Sequence, residues 1–271
     1  MPVISPHAYR EWILLYGPFC SGKTHAYLSL AQFYAQTQTP GVFHIIDTDY
    51  AVRVQMEKFP EIHEVKDGGN LSIYECYDFA DMQTAAKSIS DTARPSDWVV
   101  LDKETTAWKG APDYYCRSRF DKSADQIEME YKQLMERLGK PAVDSGLLRY
   151  YGNGINPMYE HEFRDLLLYK SRANVIICAD SKEVNSSDPK SRGPRDSRDV
   201  AQQFEQVGFK PAGQKDTPGK MHTIILLDQR YRGRWFATTV RERGDRQSWS
   251  NQELVSFPHQ YLLGPAEWKV Q

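Results

Sequence analysis

Hydrophobic residues occur along the chain as short, uninterrupted runs that alternate with longer segments of mixed polarity. Uninterrupted runs of this kind are typical of β-strands that are covered on both faces of a sheet. They predict strands at residues 12–16, 42–47, 71–74, 98–102 and 174–179. Several of these runs stop at a glycine or an acidic residue, so polar groups are expected at the carboxyl ends of the strands.

Between the strands, apolar residues recur at the three- and four-residue spacing of an amphipathic helix. The clearest such segment follows Lys23 and ends before the breaker pair Pro40–Gly41. Further helices are predicted around 78–92, 123–138 and 156–171. A Gly/Asn loop is predicted at 151–154, and a long polar loop at 183–199.

The order of these elements predicts the fold class. Strands that alternate with helices form a mostly parallel sheet with helices on both faces. Two more strands, 221–228 and 234–241, flank a turn at Arg232–Gly233 and add an antiparallel hairpin at one edge. We expect one α/β domain over residues 1–271, with its core at about 10–245 and a C-terminal extension at 246–271.

Charge and cysteine usage narrow the function classes. Lys and Arg total 34 against 36 Asp and Glu, which argues against a surface coated in positive charge but allows a local basic stripe. Cys20, Cys76, Cys116 and Cys178 have no CxxC spacing, so we expect reduced thiols in a cytoplasmic protein. No apolar run approaches the ~20 residues that span a bilayer, and no membrane partner is expected.

The junction between the first strand and the first helix carries a phosphate-binding motif. Residues 17–24 read Gly-Pro-Phe-Cys-Ser-Gly-Lys-Thr, which matches GxxxxGK[ST] in the strand–loop–helix context that this motif requires. Backbone N–H groups of such a loop and the helix N-terminus attract phosphate, the lysine reaches the β and γ phosphates, and the Thr hydroxyl holds Mg²⁺. The chain is therefore predicted to bind ATP with Mg²⁺. The predicted binding residues are Gly17, Pro18, Phe19, Cys20, Ser21, Gly22, Lys23, Thr24 and His25.

Acidic residues at two strand ends complete the predicted site. Asp102 ends an apolar strand and is predicted, with Thr24, to hold the metal. A base that orients water is predicted at Asp49 or at Glu104. Asp49 lies two residues beyond Asp47, and Glu104 lies two residues beyond Asp102. Residues i and i+2 of an extended chain share a face, so both acids are expected to look toward the metal. Loop capping is the competing interpretation for Asp47 and Asp49.

The order of these signals resembles the RecA-like recombination ATPases, and within them the short phage-encoded proteins linked to single-strand annealing. The resemblance is carried by the motif at 17–24, Ile46-Asp47-Thr48-Asp49, Val99 to Asp102, and more weakly by Asp180-Ser181-Lys182, Gly213-Gln214-Lys215 and the 151–156 stretch. It implies a RecA-like P-loop NTPase fold with Asp49 as the catalytic acid. RecA itself carries Glu at that position, and the shorter Asp is a departure that bears on the hydrolysis rate.

The same resemblance implies partners. Arg241 and Arg243 resemble paired basic residues that reach the γ-phosphate of a neighbouring subunit, so a homo-oligomeric ring or filament with ATP at its interfaces is expected. Two loops, at 105–125 and 183–206, would bind single-stranded DNA. The first has the aromatic and basic composition that suits base stacking, and a helix-packing surface is its competing interpretation. The stretch 208–246 carries nine basic against four acidic residues, and its aromatic residues Tyr231 and Trp235 either stack on bases or pack a strand. Single-strand DNA-binding or recombination proteins would be further partners, in the cytoplasm of an infected host.

Two other functions are compatible with the same motif. One is a small-molecule kinase, in which the 183–199 loop would act as a lid. The other is a nucleotide-gated assembly protein with little turnover, for which the short side chain of Asp49 is an argument.

Overall fold

The computed structural model describes residues 10–142, 145–184, 202–243 and 248–263. Within these ranges nine strands form a single sheet. They are β1 (Trp12–Gly17), β2 (Phe43–Asp47), β3 (Leu71–Glu75), β4 (Trp98–Asp102), β5 (Asn174–Glu183), β6 (Phe209–Ala212), β7 (Thr223–Tyr231), β8 (Arg234–Arg241) and β9 (Gln252–Leu254).

The strand order is β3-β2-β4-β5-β1-β7-β8-β9, and β6 pairs with β5. The strands from β3 to β7 in this order run parallel to one another. β6, β8 and β9 are antiparallel to their neighbours. The predicted architecture is confirmed: an α/β fold with a mostly parallel sheet flanked by helices and a C-terminal antiparallel hairpin.

Helices connect the parallel strands and cover both faces. They are α1 (Lys23–Gln36), α2 (Val52–Met56), α3 (Phe79–Thr92), α4 (Glu104–Phe120), α5 (Ala124–Arg137), α6 (Leu148–Tyr150), α7 (Asn156–Tyr159) and α8 (Thr217–Lys220), with π-helical turns at Tyr151–Ile155, Glu160–Arg164, Leu166–Lys170 and His259–Leu263 and a 3₁₀ turn at Val65–Asp67. No helix in the described ranges is long and apolar enough to cross a membrane.

Side chains of successive strand residues point to opposite faces of the sheet, and this divides the core into two layers. Leu14 and Tyr16 face a cluster built from α3, α4 and the helical segment 148–170. Ile13 and Leu15 face the opposite cluster, which is built mainly from α1. Because successive strand residues point to opposite faces, an uninterrupted apolar run is what a doubly covered strand requires. Each fully buried aliphatic side chain contributes about 1.5–3 kcal/mol.

Two predicted features differ in the structure. Residues 151–154 form part of the helical segment 148–170 and not a loop. Gly154 is buried there, and a Cβ at this position would collide with the Tyr115 hydroxyl, so the glycine serves close packing rather than a turn. The second feature is the predicted C-terminal extension at 246–271. In its described part, β9 extends the sheet, and Phe257 and Tyr261 belong to the α1 side of the core.

Candidate nucleotide-binding site

The phosphate-binding motif lies where β1 ends at Gly17 and α1 begins at Lys23. Two glycines permit the tight course of the loop. A Cβ at Gly17 would collide with the Leu227 carbonyl oxygen, and Gly22 has a φ of 91°, which is a left-handed conformation. The loop therefore follows a path that most side chains would obstruct.

Lys23 is buried inside this loop. Its Nζ donates hydrogen bonds to the carbonyl oxygens of Gly17 and Pro18, both at 3.0 Å, and to Ser21 Oγ at 3.3 Å. Burial lowers the pKa of Lys23, and the nearby Asp180 carboxylate, 3.9 Å away, acts in the opposite direction. A partly desolvated ammonium is a favourable partner for an anion, because a phosphate oxygen supplies the charge compensation that water no longer provides.

Thr24 and Asp102 meet directly. Thr24 Oγ1 donates to Asp102 Oδ2 at 2.8 Å, and the Tyr27 hydroxyl donates to the same oxygen at 2.9 Å. Burial raises the pKa of the Asp102 carboxyl. A cation beside it would offset that cost, since a positive charge favours the ionised form.

The oxygen ligands at this point fit Mg²⁺. Mg²⁺ prefers oxygen donors, usually keeps several waters and is held by one or two carboxylates together with substrate phosphates. Thr24 and Asp102 offer one hydroxyl and one carboxylate at hydrogen-bonding distance from each other. The described residues contain no group of three or more His, Cys, Asp or Glu that would hold a metal without such a substrate.

Asp49 and Asp47 have different environments. Asp47 is buried and accepts hydrogen bonds from the backbone N–H groups of Asp49 and Val52, both at 3.1 Å, so it caps the turn after β2. Asp49 lines the cleft and forms an ion pair of 3.0 Å with Lys103. Lys103 also pairs with Asp180 at 3.2 Å. The turn that Asp47 caps thus places Asp49 in the cleft that the motif lines.

Glu104 lies elsewhere. β4 ends at Asp102 and α4 begins at Glu104, so only Lys103 separates the two acids, and their side chains nevertheless have different partners. Asp102 contacts α1, whereas Glu104 accepts hydrogen bonds from Thr217 and, at 3.3 Å, from Tyr159 on the opposite face of the sheet. Its burial raises its pKa to about 7. Glu104 is not among the residues that line the cleft, which corrects the expectation that it looks toward the metal.

Lys23, Thr24, Asp49 and Asp102 line one cleft of about 450 Å³. The motif residues from Phe19 to His25 contribute one side of it. The other lining residues are Asp49, Ala51, Gln55, Lys58, Asp102, Lys103, Asp180, Gln229 and Trp235. Sequence reasoning did not assign Gln55, Lys58, Lys103 or Gln229 to the site, because nothing in the local pattern distinguishes them from surface residues.

Arg241 and Arg243 lie away from this cleft. Arg241 Nη1 donates to the Pro218 carbonyl oxygen at 2.8 Å and lines a second cleft of about 550 Å³. Arg243 lies two residues beyond the end of β8 and is exposed. Neither residue lines the cleft of its own chain's phosphate-binding motif.

The predicted DNA-binding elements have mixed outcomes. The expected loop at 105–125 is largely helix α4, and Trp108, Tyr114 and Tyr115 pack against the core, so this prediction is wrong. Most of the second loop, residues 185–201, lies outside the described ranges. Basic side chains do gather around the second cleft. They are Lys182, Lys210, Lys215, Lys220 and Arg241.

Comparison with known proteins is limited to structural similarity. No protein-family model matches the chain, and no curated protein matches it. The crystal structure of the RadB recombinase aligns with 88% of this chain and 83% of its own, at 14% identity and a TM-score of 0.45. The ATPase domain of G40P aligns with 92% of this chain and 83% of its own, at 11% identity and a TM-score of 0.43. Similarity at this level assigns no activity to the chain.

Proposed function

We propose that the chain is a Mg²⁺-dependent ATPase of the RecA-like type. The observation that supports this most directly is the convergence of Lys23, Thr24, Asp102 and Asp49 on one cleft. These residues come from the ends of β1, β2 and β4, which are separate in sequence. Ligands of α/β sheets bind at the carboxyl ends of the strands, and this cleft is at that end.

Each residue has a defined task in this proposal. Lys23 and the loop amides bind the β and γ phosphates, and Thr24 and Asp102 hold Mg²⁺, which neutralises charge that develops during phosphoryl transfer. Asp49 orients a water molecule toward the γ-phosphorus and takes its proton as ADP leaves. For Asp49 to do so, its ion pair with Lys103 has to rearrange, and Asp180 provides Lys103 with a second partner.

The proposal also includes oligomeric assembly and DNA binding. Arg241 is bonded to Pro218 beside the second cleft, so if it contacts a γ-phosphate, that nucleotide belongs to a neighbouring subunit. An arginine supplied in trans would make turnover depend on a ring or filament. The basic second cleft and the sequence resemblance support single-stranded DNA as the ligand and recombination or annealing in a phage as the setting.

Turnover with and without DNA tests this proposal. Purified wild-type protein is expected to release phosphate from Mg–ATP, faster with single-stranded DNA, and Lys23→Ala is expected to release none above background. Lys66→Ala, which changes an exposed lysine far along the chain, is the matched control and retains activity. If no DNA accelerates ATP hydrolysis, only the proposal of DNA binding is overturned. If the protein hydrolyses no ATP, the proposed ATPase activity is overturned.

A nucleotide-gated assembly protein is the second candidate. The ion pair between Asp49 and Lys103 favours it, because a base held by a cation orients water poorly. Tight Mg–ATP binding that changes the oligomeric state, together with negligible phosphate release, would support this candidate over the ATPase.

A further inference from the structure

An aromatic cluster lies beside the phosphate-binding motif. His25, the residue after Thr24, stacks on Trp235 with ring centroids 5.7 Å apart and planes 8° from parallel. Phe59 also contacts His25, with ring centroids 5.0 Å apart and planes tilted by 47°.

Trp235 is brought to this point by the hairpin. Its indole lies against Gly22, where an added Cβ would be 2.9 Å from the indole Cδ1. The indole Nε1 is buried and finds no acceptor among the described residues. Gln229 is directly opposite Trp235 in the β7–β8 pairing and also lines the cleft, so an amide lies beside the indole.

The cleft therefore combines two kinds of lining. Ion pairs link Lys23, Asp180, Lys103 and Asp49 in a chain, and Thr24 is hydrogen-bonded to Asp102, so these residues provide charged and polar groups. The remaining lining includes Lys58 and five aromatic or amide side chains, namely Phe19, His25, Gln55, Gln229 and Trp235. A nucleotide has two matching components, a charged triphosphate and a flat base. Pockets of this kind combine an apolar wall with a few polar groups that fix orientation.

We propose that Trp235, supported by its stack with His25, is the wall against which the base and ribose of the bound nucleotide lie. This inference rests on the proposed nucleotide binding and adds to it a specific residue from the C-terminal hairpin. The sequence left two interpretations of Trp235 open, stacking on DNA bases or packing a strand, and this inference replaces the first, because the indole packs against the phosphate-binding motif.

Comparing ATP with inorganic tripolyphosphate separates the base from the phosphates. Affinities of both ligands, with Mg²⁺, are measured by calorimetry on wild type, Trp235→Leu and Trp235→Phe. Trp235→Leu is expected to weaken ATP by about tenfold or more, as loss of a base-stacking aromatic does, and to leave tripolyphosphate within about twofold. Trp235→Phe, which retains an aromatic face, is expected to keep most of the ATP affinity.

A second Trp–His stack provides the matched control. Trp12 stacks on His222 with centroids 4.7 Å apart and planes 7° from parallel, and neither residue lines the cleft. Trp12→Leu is expected to leave ATP affinity unchanged.

Three outcomes would overturn the inference. Equal losses of ATP and tripolyphosphate in Trp235→Leu would mean that the indole only supports the loop. Unchanged ATP affinity, or a wild type that binds ATP no better than tripolyphosphate, would mean that no base contacts this wall. These results leave nucleotide binding itself standing, whereas a wild type that binds no ATP removes the proposed function as well.

Discussion

Thr24 Oγ1 donates a 2.8 Å hydrogen bond to Asp102 Oδ2 and so joins the first turn of α1 to the last residue of β4. The two residues are 78 positions apart in the chain. β4 is separated from β1 by β5, so the contact spans two strand spacings of the sheet. A hydroxyl and a carboxylate held in this way form the basis of a magnesium site that the nucleotide phosphates complete.

Asp102→Asn is expected to remove the metal-dependent part of activity. An amide lacks the negative charge that holds Mg²⁺, so kcat should fall by about a hundredfold or more and half-maximal activity should need more Mg²⁺. A magnesium titration of ATP hydrolysis measures both effects. Tyr27→Phe is the matched control, since it removes the other hydrogen bond to Asp102 Oδ2 but keeps the carboxylate. Equal responses of the two variants would contradict the metal assignment.

Asp49→Asn and Glu104→Gln are expected to separate the two candidate bases. Asp49 lines the cleft and Glu104 does not. Asp49→Asn should therefore lower kcat by about 10²–10⁴-fold while ATP affinity changes little. Glu104→Gln should keep kcat within a few-fold. Single-turnover hydrolysis and equilibrium ATP binding on both variants check this, and the reverse ranking would show that Glu104 is the base.

Glu104 is also expected to make stability depend on pH. Burial raises its pKa from 4.5 to about 7, so the folded protein binds more protons than the unfolded chain between these values. The free energy of unfolding contributed by this group is therefore highest below pH 4.5 and falls as pH rises to 7, by about 3 kcal/mol. Urea unfolding at several pH values should show that Glu104→Gln lacks this decline. Parallel curves for variant and wild type would contradict the buried, raised-pKa carboxyl.

Arg241→Ala is expected to lower kcat by about 10³-fold if the arginine acts on a neighbour's nucleotide. The trans arrangement is tested by mixing this variant with Lys23→Ala, each inactive alone. The first retains an intact phosphate site and the second retains Arg241, so mixed oligomers should recover part of the activity. Arg230→Ala, an exposed arginine paired with Asp228 in the same hairpin, should remain active throughout. No recovery on mixing would argue against a contribution in trans.

The parallel sheet was predictable because its signal is local. Runs such as residues 98–102 are apolar on both faces, and their length and uninterrupted character identify a covered strand without knowledge of the neighbours. The motif at 17–24 was likewise readable, since its glycines and Lys23 are contiguous in sequence.

The remaining features depend on contacts between distant segments. The stretch 105–125 has the aromatic and basic composition of a DNA-binding loop, but its aromatics pack against the core and tertiary contacts decide in favour of helix α4. Glu104 was expected to share a face with Asp102, but Asp102 is hydrogen-bonded to α1, whereas Glu104 is hydrogen-bonded to Tyr159 on the opposite side of the sheet. Trp235 reaches Gly22 only because β7 pairs with β1 and with β8.

Direct binding of Mg–ATP to the wild type and to Lys23→Ala tests the central claim, that the loop at 17–24 holds a triphosphate. Calorimetry on the wild type is expected to show saturable binding, and the variant should bind at least about a hundredfold more weakly because it lacks the ammonium that contacts the phosphates. Circular dichroism confirms that both proteins are folded. A folded wild type that binds no Mg–ATP, or a Lys23→Ala variant that binds it equally well, would contradict the account.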